Sequence, residues 1–244
     1  MGLPKEFNDV IENKLNVFAA WLPVTNAYQL GDYGIIADGV FAKMGNIKEF
    51  GADFVEGQGN PTKIDFTSAS TRVINFAAGA EVEVIPEGAV NAKVTLKFEK
   101  EKSFLVKSPS INVTVINNVN EVGNKLMVHP KWEKRFKVVY QVYFAKEAAV
   151  MSTINAGTEI TFTGDVKALQ KLNVGSTSLS STSSHKLGLE IQGQEGVIGL
   201  GLFQIVKGGF LGAGKKKIEI LAEGKPDALE IKYGSNGSSF EDDL

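Results

Sequence analysis

Residues 92–99 alternate strictly between apolar and polar side chains. The apolar positions fall on one side of an extended chain: Ala92, Val94, Leu96 and Phe98. The polar positions fall on the other side: Lys93, Thr95, Lys97 and Glu99. Because successive side chains of a β-strand point to opposite faces, this period predicts a strand with one buried and one solvated face. A chain that contains such a strand has to build a sheet whose apolar face is covered.

The composition favours a protein made largely of strands. Glycine accounts for 26 of the 244 residues, about 11% against about 7% in typical proteins. Proline accounts for only 7 residues. Excess glycine with few prolines is typical of many strands joined by tight turns. The length suffices for one large domain or two small ones, and no change in composition divides the chain.

Charge and cysteine content exclude several classes of protein. The formal net charge of −2 excludes the strongly basic balance of a dedicated nucleic-acid binder. Cysteine is absent, which excludes disulfide frameworks, thiol nucleophiles and cysteine zinc sites. We find no secretory leader and no apolar run of about 18 residues, so we expect a soluble, cytoplasmic protein.

Two long hairpins are predicted around polar tips. The first covers residues 89–116, because an alternating segment at 111–116 follows the charged tip 100–102. The second covers residues 157–192 and encloses the serine- and threonine-rich stretch 176–184. Such a low-complexity stretch is typical of a mobile loop.

The remaining patterns complete an α+β fold. Apolar residues at three- and four-residue spacing predict an N-terminal helix: Phe7, Val10, Ile11, Leu15 and Phe18. Further strands are expected at 28–41, 50–56, 64–76, 81–85, 135–145, 197–206 and 218–221. A short helix is expected at 117–127, and a helical turn or a loop at 165–172. One face of the strand 135–145 is expected to carry Phe136, Val138, Tyr140, Val142 and Phe144. We therefore predict a twisted, mainly antiparallel β-sheet with an N-terminal helix and short peripheral helices.

Residues suited to catalysis or metal binding are scarce. His129 and His185 lie far apart in sequence and have no companion at ligand spacing, so we expect no metal site and no cofactor. Residues 209–215 have the spacing of a phosphate-binding loop, but Lys216 stands where the hydroxyl ligand of Mg²⁺ is required. A strand follows where that loop needs a helix. We interpret the segment as a glycine-rich turn and predict no enzymatic activity.

Basic residues cluster on an otherwise mildly acidic chain. Six of them lie in two stretches: Lys97, Lys100, Lys102, Lys131, Lys134 and Arg135. Each stretch alone is typical of a solvated face. Together they suit an anionic surface, since polybasic segments gain about 1 kcal/mol per charge near acidic lipid.

The order of these elements resembles the pore-forming domain of the gasdermin family, particularly its short bacterial and fungal members. An amphipathic helix precedes Tyr28-Gln-Leu-Gly-Asp-Tyr-Gly34, which is similar to an early strand of the family that contains Leu-Gly-Asp. The two hairpins, the intervening helix and the strand pair near 197–221 follow in the same order. The resemblance covers roughly residues 5–222. It implies a pore-forming domain at 1–224, followed by a short tail at 225–244.

The resemblance also implies a function in regulated cell death or defence. Such a protein is cytoplasmic until activated, then forms a large homo-oligomer at the cell membrane, where two hairpins per subunit insert as a barrel. The lipid-facing candidates are Val94, Leu96, Phe98, Val113, Val115, Leu187, Leu189 and Ile191. The six basic residues above would contact acidic membrane lipid. In such a strand Leu96→Asp is expected to abolish leakage while the soluble fold stays intact.

Two modes of activation stay open. In bacterial members a short C-terminal peptide, removed by a protease, keeps the domain closed, and Leu229, Ile231 and Tyr233 would anchor such a tail. Fungal members without an inhibitor respond instead to a partner variant. The chain departs from the bacterial pattern at Gly2, because those members carry a lipidated cysteine at that position.

Other functions compete with the pore former. The alternation of residues 92–99 also describes an ordinary half-buried sheet. A non-enzymatic, β-rich ligand-binding or structural assembly protein is the second hypothesis. A nucleotide-binding enzyme built on residues 209–215 is the third.

Overall fold

The computed structural model describes residues 2–170, 179–185, 187–207 and 216–221. It is an α+β structure with mostly antiparallel sheets and an N-terminal helix, as the sequence predicts. The helices are α1 (Leu3–Leu15), α2 (Val119–Val128) and α3 (Val166–Gln170), with a 3-10 helix at Ile47–Phe50.

Strands account for most of the remaining described residues. The first seven are β1 (Phe18–Ala19), β2 (Asp32–Ala37), β3 (Val40–Asn46), β4 (Glu56–Gln58), β5 (Thr62–Thr67), β6 (Thr71–Ala77) and β7 (Ala80–Val82). The next seven are β8 (Lys93–Phe98), β9 (Phe104–Ile116), β10 (Lys137–Thr153), β11 (Thr158–Gly164), β12 (Leu179–Ser183), β13 (Leu187–Lys207) and β14 (Lys216–Leu221).

The chain forms two compact units. Unit 1 takes the described residues of Met1–Pro61, Asn112–Phe144 and Val197–Leu244. Unit 2 takes those of Thr62–Ile111 and Ala145–Gly196. Strands β9, β10 and β13 each contribute residues to both units.

Unit 1 contains α1, α2 and the strand order β1-β13-β10-β2-β3. Strands β13 and β14 pair antiparallel, with Leu202 opposite Leu221, which confirms the predicted strand pair. Helix α1 buries Phe7 and Ile11 and ends at Asn16, whose backbone is left-handed. Because the helix ends there, Phe18 lies in β1 and not in the helix, contrary to the prediction.

The Leu-Gly-Asp motif forms a turn that leads into β2. Gly31 has a φ of +78°, which favours glycine. A Cβ at Gly34 would overlap the carbonyl of Ala42 on β3, so close strand pairing requires glycine there. Asp32 is fully buried, and its carboxylate lies 2.8 Å from the Lys43 Nζ. The motif therefore has a structural role in joining β2 to β3.

Unit 2 contains a five-stranded sheet with the order β12-β11-β8-β6-β7. Parts of β5, β9 and β10 belong to the other sheet of this unit. Leu105 of β9 and Ala149 and Met151 of β10 pack against the five-stranded sheet. The unit is thus built of two packed layers.

The two hairpin predictions are wrong for this structure. Strand β8 pairs with β6 and β11, whereas β9 pairs with β4, β5 and β10 in the other sheet. Likewise β11 pairs with β8 and β12, and β13 belongs to the other sheet. Each amphipathic strand finds neighbours distant in sequence, because two layers are needed to cover its apolar face.

The serine- and threonine-rich stretch is also partly structured. Residues 179–183, predicted as part of a mobile loop, form β12 and pair along β11 from Gly164 to Ile160. Residues 176–178 lie outside the described part of the chain. Threonine is favoured in strands, and polar serine and threonine side chains are compatible with the solvent-exposed face of an edge strand.

Two smaller expectations change as well. The strand expected at 50–56 does not form, because a 3-10 helix that begins with a capping box at Asn46 ends at Phe50, and β4 starts only at Glu56. The strand expected at 64–76 divides into β5 and β6, which belong to different sheets. Phe144 is 36% exposed, whereas the other four residues predicted on its face of the strand are buried.

Glu12 offers a test of how α1 is held in unit 1. Partial burial, together with the charge of Asp9 one turn earlier, raises the pKa of the Glu12 carboxyl. A raised folded-state pKa means that stability is lost as the pH rises above the ordinary value of about 4.3. We expect Glu12→Gln to raise the free energy of unfolding at pH 7 by about 0.5 kcal/mol, which allows for solvent screening.

Urea denaturation at pH 7 and at pH 3 measures this effect, and the gain is expected to vanish at pH 3, where the glutamate is protonated. Glu6→Gln is the matched control, because Glu6 lies in the first helical turn and its charge favours the helix. An unchanged or lower stability of Glu12→Gln at pH 7 contradicts the prediction.

Candidate functional site

The lipid-facing candidates of β8 lie in the centre of unit 2. Val94, Leu96 and Phe98 are each 0% exposed. In the antiparallel pairing with β11, Leu96 lies opposite Ile160 and Val94 opposite Phe162. Both partners are also fully buried. The alternation of the sequence therefore corresponds to a completely enclosed apolar face.

The layer that covers this face comes from several elements. Leu105, Ala149 and Met151 supply the opposite sheet, and Leu169 of α3 and Leu179 of β12 belong to the same hydrophobic cluster. Exposing a buried valine, leucine or phenylalanine to water costs about 1.5–3 kcal/mol each. This cost keeps the apolar β8 side chains inside unit 2 when the protein is surrounded by water.

The opposite face of β8 is polar. The Thr95 hydroxyl lies 3.0 Å from that of Thr161 on β11. Two residues further along the same face of β8, the Lys97 Nζ lies 3.1 Å from the Glu159 carboxylate, and both side chains are partly exposed. An exposed pair of this kind adds little stability. Strand β8 therefore has one hydrocarbon face and one polar face, as the sequence predicts, but Thr95 on the polar face is buried and Lys93 and Lys97 are half-buried.

The other lipid-facing candidates occupy two different settings. Val113 is buried and Val115 half-buried on the part of β9 that belongs to unit 1. Leu187 and Leu189 are half-buried and Ile191 is buried on the part of β13 that belongs to unit 2. Of these, Leu187 packs against the same cluster as the β8 residues.

The basic candidates also divide between the two units. Lys97, Lys100 and Lys102 lie on β8 and its connection to β9 in unit 2. The other three lie between α2 and β10 in unit 1: Lys131, Lys134 and Arg135. Lys100 is exposed, as are all three residues of the second group, and Arg135 Nε lies 2.8 Å from Glu133.

An aromatic cluster anchors the second basic group. The Trp132 ring centroid lies 5.3 Å from those of Phe50 and Phe136, and 5.8 Å from that of Tyr33. The Phe50 ring lies 5.0 Å from His129. The sequence predicts Phe136 on one face of a strand but indicates no functional site at these aromatic residues. The sequence signal that could have identified this cluster is a tryptophan and a phenylalanine four residues apart among basic residues.

Several candidates lie outside the described residues. These are the tail anchors Leu229, Ile231 and Tyr233 and the glycine-rich segment 209–215. Within the described part of the chain, no cluster of three or more histidine, aspartate or glutamate side chains is placed to hold a metal ion. In that same part, no helix is both long enough and apolar enough to cross a membrane. No model of a known protein family matches the sequence, and no curated protein matches it either.

The burial of Leu96 changes the expectation for Leu96→Asp. We expect the fold to be strongly destabilised, because the substitution removes a packed side chain and places a carboxylate in an apolar core. We expect the free energy of unfolding to fall by about 4 kcal/mol or more, a large part of the stability of a typical domain. Urea denaturation followed by circular dichroism measures this loss.

The matched control is Thr182→Asp, which adds the same charge at an exposed position of β12. It is expected to cost less than about 1 kcal/mol. Equal losses for the two variants contradict the assignment of Leu96 to the core.

Proposed function

We propose that this protein is a membrane pore former of the gasdermin kind. It remains folded as described until activated, then assembles into a homo-oligomer on acidic membranes. There, segments 89–116 and 157–192 leave the soluble fold and insert as hairpins. It acts without catalysis, as an executor of regulated cell death or defence.

The observation that carries the proposal is the two-sided character of β8. Strands of a membrane barrel alternate between apolar residues that face lipid and polar residues that face the lumen. In β8 the fully buried Val94, Leu96 and Phe98 supply the first set, and Lys93, Thr95 and Lys97 the second. If Val94, Leu96 and Phe98 move from the core of unit 2 into lipid, they stay out of water. The free-energy cost of exposing them to water is therefore absent in the inserted state.

Strand length and connectivity also support insertion. A membrane-spanning strand needs about 9–11 residues. Strand β9, with 13 residues, is long enough. Strand β8, with 6 residues, β11, with 7, and the part of β13 that lies within 157–192 have to lengthen at their ends. Strands β8 and β9 follow each other directly, and straightening of the connection at 99–103 would let them pair as a hairpin with exposed Lys100 and Glu101 at its tip.

The basic residues suit first contact with the membrane. Each lysine or arginine near an acidic surface contributes about 1 kcal/mol. Lys131, Lys134 and Arg135 are exposed on a segment whose Trp132 packs into the aromatic cluster. Such a segment loses little conformational freedom when it binds. The tail 225–244 or a partner variant would control when this contact leads to insertion.

Dye release from liposomes that contain acidic lipid tests the proposal. The full-length chain is compared with one truncated after Gly224. Leakage from the truncated chain alone supports a pore former restrained by its tail. Leakage from both supports a member that needs no cleavage. Absence of leakage from both, also in the presence of candidate partner variants, contradicts the proposal and favours a non-enzymatic, β-rich binding or assembly protein.

Charge substitutions on β9 test the assignment of faces. Val115 is a lipid-facing candidate and only half-buried, so Val115→Lys is compatible with the soluble fold. A lysine toward lipid costs about 1 kcal/mol near the membrane interface. We expect this variant to slow dye release about fivefold, measured at equal protein bound to the liposomes.

Asn112→Lys provides the control, because it adds the same charge at an exposed position on the polar face of β9. It is expected to leave the rate of dye release nearly unchanged. Equal rates for the two lysine variants contradict the assignment of Val115 to the lipid-facing side.

A further inference from the structure

Several connections in unit 2 carry the chain from one sheet to the other, and three of them are joined by hydrogen bonds. Residues 68–70 join β5 to β6, residues 99–103 join β8 to β9, and residues 154–157 join β10 to β11. Backbone hydrogen bonds hold them together: the Glu99 N–H donates to the Ser70 carbonyl at 2.9 Å, and the Gly157 N–H donates to the Phe98 carbonyl at 2.7 Å. The three crossings therefore meet at one end of unit 2.

Ser103 is the centre of a hydroxyl network at this end. It is 3% exposed, and its Oγ donates to the Lys100 carbonyl at 2.9 Å. Ser70 Oγ lies 3.0 Å from Ser103 Oγ. Because a hydroxyl has only one proton, Ser70 is the donor in that contact. The fully buried Thr153 accepts from the Ser103 N–H and donates to the same Lys100 carbonyl, both at 3.3 Å.

Ser68 completes the network from the β5–β6 connection. Its Oγ accepts from the Phe104 N–H at 2.8 Å and donates to the Phe104 carbonyl at 3.1 Å. Four hydroxyl side chains thus join residues 100–104 to the β5–β6 connection and to the last residue of β10. We call Ser68, Ser70, Ser103 and Thr153 the hydroxyl latch.

Two further hydroxyls belong to residues next to the latch in sequence. Thr71 Oγ1 and Ser152 Oγ are buried and make no hydrogen bond in the described part of the chain. Thr71 directly follows Ser70 in the sequence, and Ser152 directly precedes Thr153. A buried polar group without a partner is unfavourable, and opening to water relieves that cost. The same end of unit 2 therefore combines bonds that hold it closed with groups that favour opening.

We infer that the hydroxyl latch controls the release of β8 from the core of unit 2. The connection 99–103 cannot straighten while Ser103 is bonded to Ser70, Thr153 and the Lys100 carbonyl. Strand β8 therefore stays between β6 and β11 until these bonds break. The link to membrane insertion rests on the proposed function, whereas control of β8 opening in solution does not.

Hydrogen exchange on the full-length chain in solution tests the latch directly. Ser103→Ala removes its two side-chain hydrogen bonds, and we expect the β8 amides 94–98 to exchange about tenfold faster. Ser152→Ala removes an unpartnered hydroxyl, and we expect the same amides to exchange about threefold slower. The amides of β2 in unit 1 are expected to stay unchanged in both variants, which a general change in stability would not produce.

Ser108→Ala is the matched control. Ser108 is 1% exposed on β9, and its Oγ donates to the Lys146 carbonyl at 2.7 Å, away from the latch. If Ser103→Ala and Ser108→Ala change β8 exchange equally, or if β2 responds as much as β8, the inference is overturned. Selective acceleration by Ser103→Ala supports it.

A reversible covalent lock tests the link to insertion. The chain has no cysteine, so Ser70→Cys with Ser103→Cys introduces one thiol pair where the two oxygens now lie 3.0 Å apart. On acidic-lipid liposomes we expect the oxidised protein to release dye at less than about a tenth of the rate of the reduced one. Adding dithiothreitol should restore leakage.

The outcomes separate the two proposals. Equal leakage from the oxidised and reduced forms overturns the role of the latch in insertion. If neither the double variant nor the unmodified chain leaks under any condition, the proposed function fails. The exchange rates of β8 then still decide whether the latch controls its opening.

Discussion

The packing of the apolar face of β8 is the interaction on which unit 2 depends. Val94, Leu96 and Phe98 lie between the central strands of one sheet and the residues that the opposite sheet supplies. At about 1.5–3 kcal/mol for each large side chain removed from water, this cluster outweighs every surface ion pair in the unit. It also holds the residues that the proposed function requires in lipid. Under the proposed function, the same side chains would stabilise the folded form and, after insertion, contact lipid.

Both units contain buried polar groups that are hydrogen-bonded and others that are not, and Trp132 Nε1 of unit 1 is one of the second kind in the described part of the chain. In unit 1 the buried Asp32 carboxylate accepts from the Gln29 N–H at 2.9 Å and from the Asn46 side chain at 3.0 Å, and it pairs with Lys43. Removing one of these partners would leave the buried Asp32 carboxylate with fewer bonds to offset its burial. The network therefore stabilises the observed arrangement of Gln29, Asp32, Lys43 and Asn46. In unit 2 the unpartnered Ser152 hydroxyl lies beside bonded Thr153. That combination suits an end of the molecule that opens.

Local patterns predicted elements better than they predicted partners. The period of β8, the helix α2 and the alternation of Ile160 and Phe162 in β11 all follow from side-chain spacing, and the structure agrees. The pairing of β8 with β9 was wrong, although the two are adjacent in sequence. A sharp change of direction at 99–103, with Lys102 at a φ of 55°, moves β9 into the other sheet. The spacing of apolar and polar side chains does not predict such a change of direction.

The sequence by itself determined the fold class, the amphipathic strands and the absence of cysteine chemistry, because composition and period act locally. Only the tertiary structure decided which strands pair, that Val94, Leu96 and Phe98 are completely enclosed, and that Ser70, Ser103 and Thr153 meet. These contacts join residues 33 to 50 positions apart in the chain. They form because two apolar faces must cover each other, and that requirement chooses partners by fit in space and not by distance along the sequence.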